Sequence, residues 1–205
     1  SELFVKLLSD TLKRSVTTVK LQRPREVRVI HSTSTLSILR EMMLPSDNFL
    51  AEQIHMMVGL QRYGMFQTGQ LRKDMDKDFY NLFTDRIDLH DASGLSSYNK
   101  VTPRSMVEVL LMISSLLPDT TSLQKVFPTG GVDGTLKRTY SLDNNEPFVW
   151  AKTGTINAVH NQSGFIRTRS GRNFVFSFLN ANFLGSAGSV SREIARVVTF
   201  IRQNY

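Results

Sequence analysis

Two short strings in this chain combine hydroxyl, amide and amine groups in a way that suits catalysis. Ser-Asp-Asn occupies positions 46–48, and Lys-Thr-Gly-Thr occupies positions 152–155. A serine hydroxyl and a lysine amine can move protons, and a lysine beside small hydroxyl side chains can hold a carboxylate or an oxyanion. A third string, Gly-Gly-Val-Asp-Gly-Thr-Leu at 130–136, predicts a tight loop. Proton transfer and anion binding are thus the chemistry that these groups could do, although each string alone is short enough to occur by chance.

Each string also has a purely structural interpretation. Residues 46–48 follow Pro45 and precede an apolar periodic segment, which is typical of a helix N-cap. Residues 152–155 could end a strand and begin a turn, and Asp-Gly at 133–134 is a common turn dipeptide that is weak evidence for a phosphate site. His160 is interpreted as a loop or strand side chain rather than a base. Because a capping role and a catalytic role are compatible for 46–48, both stay open.

The surrounding elements predict a helical block followed by an antiparallel sheet. Thr102 and Pro103 support one helix start, since threonine caps well and proline favours the first helical position. A turn at 170–172 predicts a hairpin, and 84–101 and 127–147 are interpreted as loops with short elements. Apolar periodicity predicts helices over 3–14, 35–43, 49–63, 70–83, 102–117 and 189–204, and strands over 27–30, 148–150, 164–166 and 173–179. The predicted fold class is α/β, in the α+β sense.

Composition limits the classes of function. The chain has 205 residues, 40% of them hydrophobic, which is enough for one domain with a core. It has no cysteine, and its four histidines are scattered without metal-ligand spacing, so we expect no metal and no cofactor. We expect no membrane span, because no apolar run reaches about 18 residues, and no signal peptide begins the chain. The net charge of +7 is spread along the chain, so we expect no nucleic-acid partner.

Four blocks of sequence, in order, resemble one known family. Residues 45–53 match its SDN-x-x-AE stretch, and 91–96, followed by Asn99 and Thr102-Pro103, match its D-G-S-G-L-S stretch. Residues 131–138 match its G-x-D-G-T-L…R loop, and 151–155 match its K-T-G-T strand. The sequence resembles the C-terminal part of the low-molecular-mass class C penicillin-binding proteins, the D-alanyl-D-alanine carboxypeptidase/endopeptidases of the penicillin-binding protein 4 type.

The resemblance implies a substrate-binding role for the 152–155 strand. Lys152 would bring positive charge to the cleft, and the hydroxyls of Thr153 and Thr155 would bind the terminal carboxylate of the substrate. Gly154 would let the substrate backbone approach the strand. The backbone N–H of Thr155 would be one donor of the oxyanion hole, where losing one donor typically slows a reaction by about 10²–10³.

The resemblance also implies a proton-transfer role for the 46–48 string. Ser46, helped by Lys152, would pass a proton to the leaving D-alanine. Asn48 would hydrogen-bond the peptide group of the substrate and the lysine of the family's S-x-x-K motif. Asp47 would be mainly structural. The candidate catalytic residues are therefore Ser46, Asn48 and Lys152, and the candidate substrate-binding residues are Thr153, Gly154 and Thr155.

The S-x-x-K motif that carries the family's nucleophile does not precede Ser46 in this chain. Ser97 and Ser122 each start an S-x-x-K match, but both lie downstream of S-D-N, in a predicted turn and a predicted loop. We therefore expect residues 1–205 to be a single partial DD-peptidase domain that lacks the N-terminal segment with the S-x-x-K helix and the first strands of the sheet. An isolated three-stranded half-sheet would leave an unpaired edge.

The resemblance implies the C-terminal part of a β-lactamase/DD-peptidase-like transpeptidase domain, acting on peptidoglycan through an acyl-serine intermediate. The expected partners are a stem peptide ending in D-Ala-D-Ala and β-lactam antibiotics, and the expected location is the periplasm or cell envelope. The alternative is a degenerate relative that binds peptidoglycan without catalysis. A basic nucleic-acid-binding domain is a third hypothesis, which strongly salt-dependent binding would support.

Overall fold

The computed structural model describes residues 2–20, 33–117 and 119–205, and the chain divides into two compact units, 1–32 and 33–205. The first unit contains helix α1 (Glu2–Leu12), whose apolar residues Leu3, Phe4 and Leu7 are exposed. The strand predicted over 27–30 lies outside the described residues.

The second unit contains six α-helices and three strands among its described residues. Polar side chains define several helix starts: the Asp47 carboxylate accepts from the backbone N–H of Leu50, and Thr102 and Ser105 form a reciprocal capping box. The helices are α2 (Thr35–Met43), α3 (Asn48–Tyr63), α4 (Thr68–Asp78), α5 (Pro103–Leu116), α6 (Thr120–Val126) and α7 (Ala187–Asn204), with 3₁₀ turns at Tyr80–Leu82 and Gly134–Leu136.

The sheet is an antiparallel meander of β1 (Val149–Ile156), β2 (Val159–Arg167) and β3 (Asn173–Ala181), in that spatial order. A two-residue turn joins β1 to β2, and its first residue, Asn157, has a φ of 43°, which asparagine tolerates well. This tight turn fixes the register, which pairs Lys152 with Ser163 and Thr155 with His160.

The two faces of the sheet bury separate hydrophobic clusters, because successive residues of a strand point to opposite faces. Val149 and Ala151 pack with Ile194 and Val198 of α7 in one cluster. Trp150 packs in the other cluster with buried residues of α5 and α6 and with the partly buried apolar face of α2. The sheet is therefore sandwiched between α7 and the helical block, and β1 lies in contact with both.

The predicted helical block and antiparallel sheet are confirmed, and helix α2 has the predicted bounds. The loop predicted around Ser122 is wrong, because α6 forms there behind the N-cap of Asp119. This helix has only seven residues, too few for a clear apolar period. The helix predicted over 70–83 ends at Asp78 and continues as a 3₁₀ turn. Strand β1 runs past Trp150 to Ile156, so Lys152–Thr155 lie within the strand and not at its end.

Candidate active site

Ser46 lies in a strained turn between α2 and α3. Its φ of 61° places it in the left-handed region, which is uncommon for any residue except glycine. The backbone on both sides is held: the N–H of Asp47 donates to the carbonyl of Met42 at 2.8 Å, and the Asp47 side chain caps α3. The two flanking helices therefore hold the backbone of Ser46 in this conformation, in which its hydroxyl reaches Lys152 of the sheet.

Lys152 meets Ser46 across 106 residues of sequence. The ammonium of Lys152 donates to Ser46 Oγ at 2.6 Å and also to the carbonyl oxygen of Thr153. Burial lowers the pKa of Lys152 below its ordinary value, because a partly dehydrated ammonium is disfavoured. The structure thus brings two of the three predicted catalytic residues into direct contact, and the buried ammonium gives up a proton more readily than that of an exposed lysine.

Asn48 is the first residue of α3, and its side chain is exposed. It forms no side-chain hydrogen bond to another residue in the described part of the chain. Asn48 therefore lies two residues after Ser46, at the start of α3, and no hydrogen bond in the described part of the chain links it to Lys152.

The hydroxyls of Thr153 and Thr155 lie on one face of β1, on either side of Gly154. Thr153 Oγ1 donates to Thr135 Oγ1 at 2.9 Å, and Thr155 Oγ1 hydrogen-bonds His160 Nδ1 at 2.7 Å. An added Cβ on Gly154 would meet no described atom within 4 Å, so the strand is open at this point. Residues 153–155 thus form an accessible stretch of β1, called here the polar strip, with the two hydroxyls on one face of the strand and Gly154, like Lys152, on the other.

The loop 130–136 braces the Ser46 turn against the sheet. Gly134 has a φ of +54°, and a Cβ there would lie 2.9 Å from both the carbonyl oxygen of Leu44 and Cβ of Pro128. The Asp133 carboxylate accepts a hydrogen bond from the Arg40 guanidinium at 2.8 Å and another from the backbone N–H of Thr129 at 2.8 Å. The loop therefore holds the last turn of α2, which leads into Ser46, and it supplies Thr135 to the polar strip.

Sequence reasoning missed three residues that support this site: Arg40, Thr135 and His160. The 131–138 match had drawn attention to the loop that contains Thr135, but its contact with Thr153 depends on the packing of that loop against β1. His160 became visible only through the register of the β1–β2 hairpin. Arg40 carried no motif, and its role depends on the pairing with Asp133.

Hydrogen bonds to two carboxylates hold the loop 91–96 in place. The Asp91 carboxylate accepts from the backbone N–H groups of Gly94 and Ser96 and from the Asn99 amide. These bonds lower the pKa of Asp91, although its partial burial acts in the opposite direction. Glu52 of α3 accepts from the backbone N–H groups of Ala92 and Ser93 in the same loop. The 45–53 and 91–96 blocks are thereby joined.

The two downstream S-x-x-K matches lie apart from this pair of residues. Ser122 is on α6, with its backbone N–H held by the Asp119 carboxylate and its side chain also bonded to that carboxylate. Ser97 lies in the loop between Asp91 and Asn99. Among the described residues, neither serine forms a hydrogen bond with Ser46 or Lys152.

The described residues offer no metal centre, since they include no group of three or more His, Cys, Asp or Glu side chains placed to share an ion. Within the same residues, no helix has both the length and the apolar character needed to cross a membrane.

Comparison with known proteins places this arrangement in a family. The chain is 31% identical over 194 residues to the D-alanyl-D-alanine carboxypeptidase DacB of Haemophilus influenzae, covering 90% of this chain and 40% of the relative. The crystal structure of penicillin-binding protein 4 (dacB) from the same organism, complexed with a β-lactam, matches with a TM-score of 0.70 and 25% identity over 98% of this chain and 50% of that one.

A β-lactamase shares the fold alone: the TLA-3 extended-spectrum enzyme matches with a TM-score of 0.56 at 16% identity, over 96% of this chain and 70% of that one. These likenesses confirm the predicted β-lactamase/DD-peptidase-like fold. The chain spans about 40% of the length of the curated DacB relative. The model of the D-Ala-D-Ala carboxypeptidase 3 (S13) family matches residues 3–204, and the chain therefore belongs to that family.

Proposed function

We propose that this chain supplies the proton-transfer and carboxylate-binding part of a serine-type D-Ala-D-Ala carboxypeptidase/endopeptidase. One observation carries the proposal: Lys152 Nζ lies 2.6 Å from Ser46 Oγ, although 106 residues separate them. A hydroxyl bonded to a dehydrated amine is a group that can shuttle protons in acyl transfer.

The proposed reaction begins when the nucleophilic serine oxygen attacks the carbonyl of the penultimate D-alanine and its proton passes to the lysine of the S-x-x-K motif. The C–N bond to the terminal D-alanine then breaks, and the leaving amine takes a proton from the Ser46 hydroxyl. Lys152 returns a proton to Ser46 through the hydrogen bond between them. Because burial lowers the pKa of Lys152, its ammonium gives up this proton more readily than an exposed lysine would. Water subsequently hydrolyses the acyl-serine ester.

The polar strip of β1 is the proposed binding site for the substrate. The hydroxyls of Thr153 and Thr155 bind the terminal carboxylate, and the positive charge of Lys152 adds attraction. Gly154 leaves room for the peptide backbone to lie along the strand, since no described atom occupies the position of its missing side chain. The backbone N–H of Thr155 donates to the developing oxyanion. Asn48, exposed at the start of α3, would bind the peptide group of the substrate.

The nucleophilic serine of this proposal lies outside the 205 residues, on an S-x-x-K helix that precedes Ser46 in the parent protein. The order of motifs supports this, because the two S-x-x-K matches in the chain follow S-D-N. The short span of the chain relative to DacB is consistent with it. Residues 1–205 would then be part of one DD-peptidase domain, and the isolated chain would be inactive.

The proposed partners follow from the same site. The substrate is a peptidoglycan stem peptide ending in D-Ala-D-Ala, and β-lactams would acylate the same serine, as the β-lactam complex of the H. influenzae protein suggests. A peptidoglycan substrate implies a location in the periplasm or elsewhere in the cell envelope.

Intact mass spectrometry with benzylpenicillin tests the proposal. We expect the full-length natural protein to gain one covalent adduct that maps upstream of Ser1, and the 205-residue chain to gain none. An adduct at Ser97 or Ser122 would show that the nucleophile lies within the chain. No adduct on the full-length protein, combined with retention on peptidoglycan, would replace the enzyme by a non-catalytic peptidoglycan-binding protein.

A further inference from the structure

The hydroxyl of Thr155 has a protein partner on one side and open space on the other. His160 is the cross-strand neighbour of Thr155 in the β1–β2 hairpin, and its Nδ1 lies 2.7 Å from Thr155 Oγ1. The histidine is buried, with 6% of its surface exposed, whereas Thr155 is exposed. The hydroxyl is therefore held from inside the protein and remains accessible to a ligand.

The second nitrogen of His160 indicates which atom carries the ring proton. Nε2 is buried and has no hydrogen-bond partner among the described residues. A buried N–H without an acceptor is costlier and rarer than a buried acceptor without a donor. We therefore assign the proton of the neutral ring to Nδ1, which donates to Thr155 Oγ1. Burial also lowers the pKa of His160, which keeps the ring neutral.

This assignment fixes the direction of the Thr155 hydroxyl. A hydroxyl has one hydrogen to donate and two lone pairs that accept. When His160 donates to one lone pair, the hydrogen of Thr155 is turned away from the ring and towards the open side of β1. Thr155 can then donate to an anion at the strip, because no acceptor among the described residues takes its hydrogen.

We propose that His160 is a positioning residue that orients the Thr155 hydroxyl as a donor to the terminal carboxylate of the substrate. The inference rests on the proposed function and deepens it, because it assigns recognition of a free carboxylate to a pair of residues on two strands. His160 itself touches no reacting atom.

Three substitutions in the full-length protein separate positioning from packing. His160→Phe keeps a ring and removes the donor, whereas His160→Asn keeps an amide donor near the place of Nδ1. Thr155→Val keeps the shape of the threonine and removes the hydroxyl. The kcat/KM of each variant is measured on an acyl-D-Ala-D-Ala peptide and on the same peptide with a C-terminal amide in place of the carboxylate.

On the carboxylate peptide, we expect His160→Phe to lower kcat/KM about tenfold and His160→Asn to stay within about threefold of the wild type, because only the former removes a hydrogen bond that supports binding of a charged group. On the amide peptide, we expect little effect of His160→Phe. In a Thr155→Val background, His160→Phe should cause almost no further loss, since the group through which it acts is gone.

Equal losses from His160→Phe on both peptides, or in both backgrounds, would show a packing role and overturn the proposal. Nitrogen-15 spectra of the histidine ring in the full-length protein add an independent reading: a proton on Nε2 in place of Nδ1 would also overturn it. A wild-type protein that neither hydrolyses the peptide nor reacts with benzylpenicillin would instead refute the proposed function, so the two failures are distinguishable.

Discussion

Two polar clusters of residues 33–205 hold charged side chains in opposite ways. In the first, the Asp143 carboxylate accepts from Arg169 at 2.9 and 3.1 Å and from Arg202 at 2.9 Å. Arg202 also donates to the carbonyl of Arg167 and lies over the ring of Phe148. In the second, Lys152 faces a hydroxyl and a carbonyl oxygen, and no carboxylate of the described residues forms an ion pair with it.

The difference separates a structural cluster from a site for chemistry. Hydrogen bonds and charges of the two arginines hold the pKa of Asp143 at about 2, so this carboxylate stays ionised and ties its loop to the β2–β3 turn, through Arg169, and to α7, through Arg202. Lys152 forms no ion pair with a carboxylate of the described residues, and burial lowers its pKa, so its protonation state can change during a reaction. Paired charges stabilise the fold, whereas the unpaired lysine suits the proton-transfer role that we propose for it.

The sharpest contrast is expected from Lys152→Met. Removing the proton donor should slow benzylpenicillin acylation of the full-length protein by about 10²–10⁴. The midpoint temperature of unfolding should stay unchanged or rise, because a partly buried, unpaired ammonium is replaced by an apolar side chain of similar length. Stopped-flow acylation and thermal unfolding measure the two effects. A large fall in midpoint temperature would mean that Lys152 mainly supports the fold.

Asp143→Asn should produce the reverse result. Loss of the carboxylate leaves Arg202, which is 9% exposed, without its charge partner. We expect the midpoint temperature to fall by about 5 °C or more, with the acylation rate unchanged at temperatures where the variant is folded. Calorimetry and the same acylation assay provide the check. A slower acylation by the folded variant would show that the Asp143 cluster also affects the active site, contrary to the purely structural role expected of it.

Gly134→Ala tests whether the 130–136 loop positions Ser46. The new Cβ would press on the carbonyl oxygen of Leu44 at 2.9 Å, in a backbone conformation that alanine rarely adopts. We expect a loss of about 2–3 kcal/mol in the free energy of unfolding and a slower acylation.

Gly171→Ala is the matched control for Gly134→Ala. Gly171 also has a positive φ, of +83°, but its added Cβ would have no described neighbour within 4 Å. We expect only the backbone penalty of about 1 kcal/mol and an unchanged acylation rate. Equal effects of the two substitutions on the acylation rate would show that the 130–136 loop does not position Ser46.

The smallest expected effect is a pH dependence of stability that belongs to Asp143. Its folded-state pKa, about 2, lies below the ordinary aspartate pKa of 3.8, so its contribution to stability is complete above about pH 4 and is lost as the pH falls towards 2. Unfolding of the wild type and of Asp143→Asn should therefore be compared from pH 2 to pH 6. The difference between their midpoint temperatures should shrink below pH 4, and a constant difference would contradict the assignment.

The order of helices and strands could be predicted from the sequence, because capping residues, turn residues and apolar periods are local signals. The candidate strings at 46–48 and 152–155 could be identified in the same way. The contact between Ser46 and Lys152 could not be derived from such signals, since it depends on how two helices and a hairpin pack. The supports Thr135 and His160 were missed for the same reason: each contacts a threonine of β1 through a loop or a strand register. Helix α6 was missed because a single N-cap and seven residues give little periodicity.

The central claim is that Ser46 and Lys152 act as one proton-transfer unit, and a double-mutant cycle on the full-length protein tests it most directly. The rate of D-alanine release from an acyl-D-Ala-D-Ala peptide is measured for the wild type, Ser46→Ala, Lys152→Met and the double variant. We predict that each single substitution slows release by about 10² or more and that the double variant is hardly slower than the worse single one, because residues that act as a unit are non-additive. Two losses that multiply in the double variant would contradict the account.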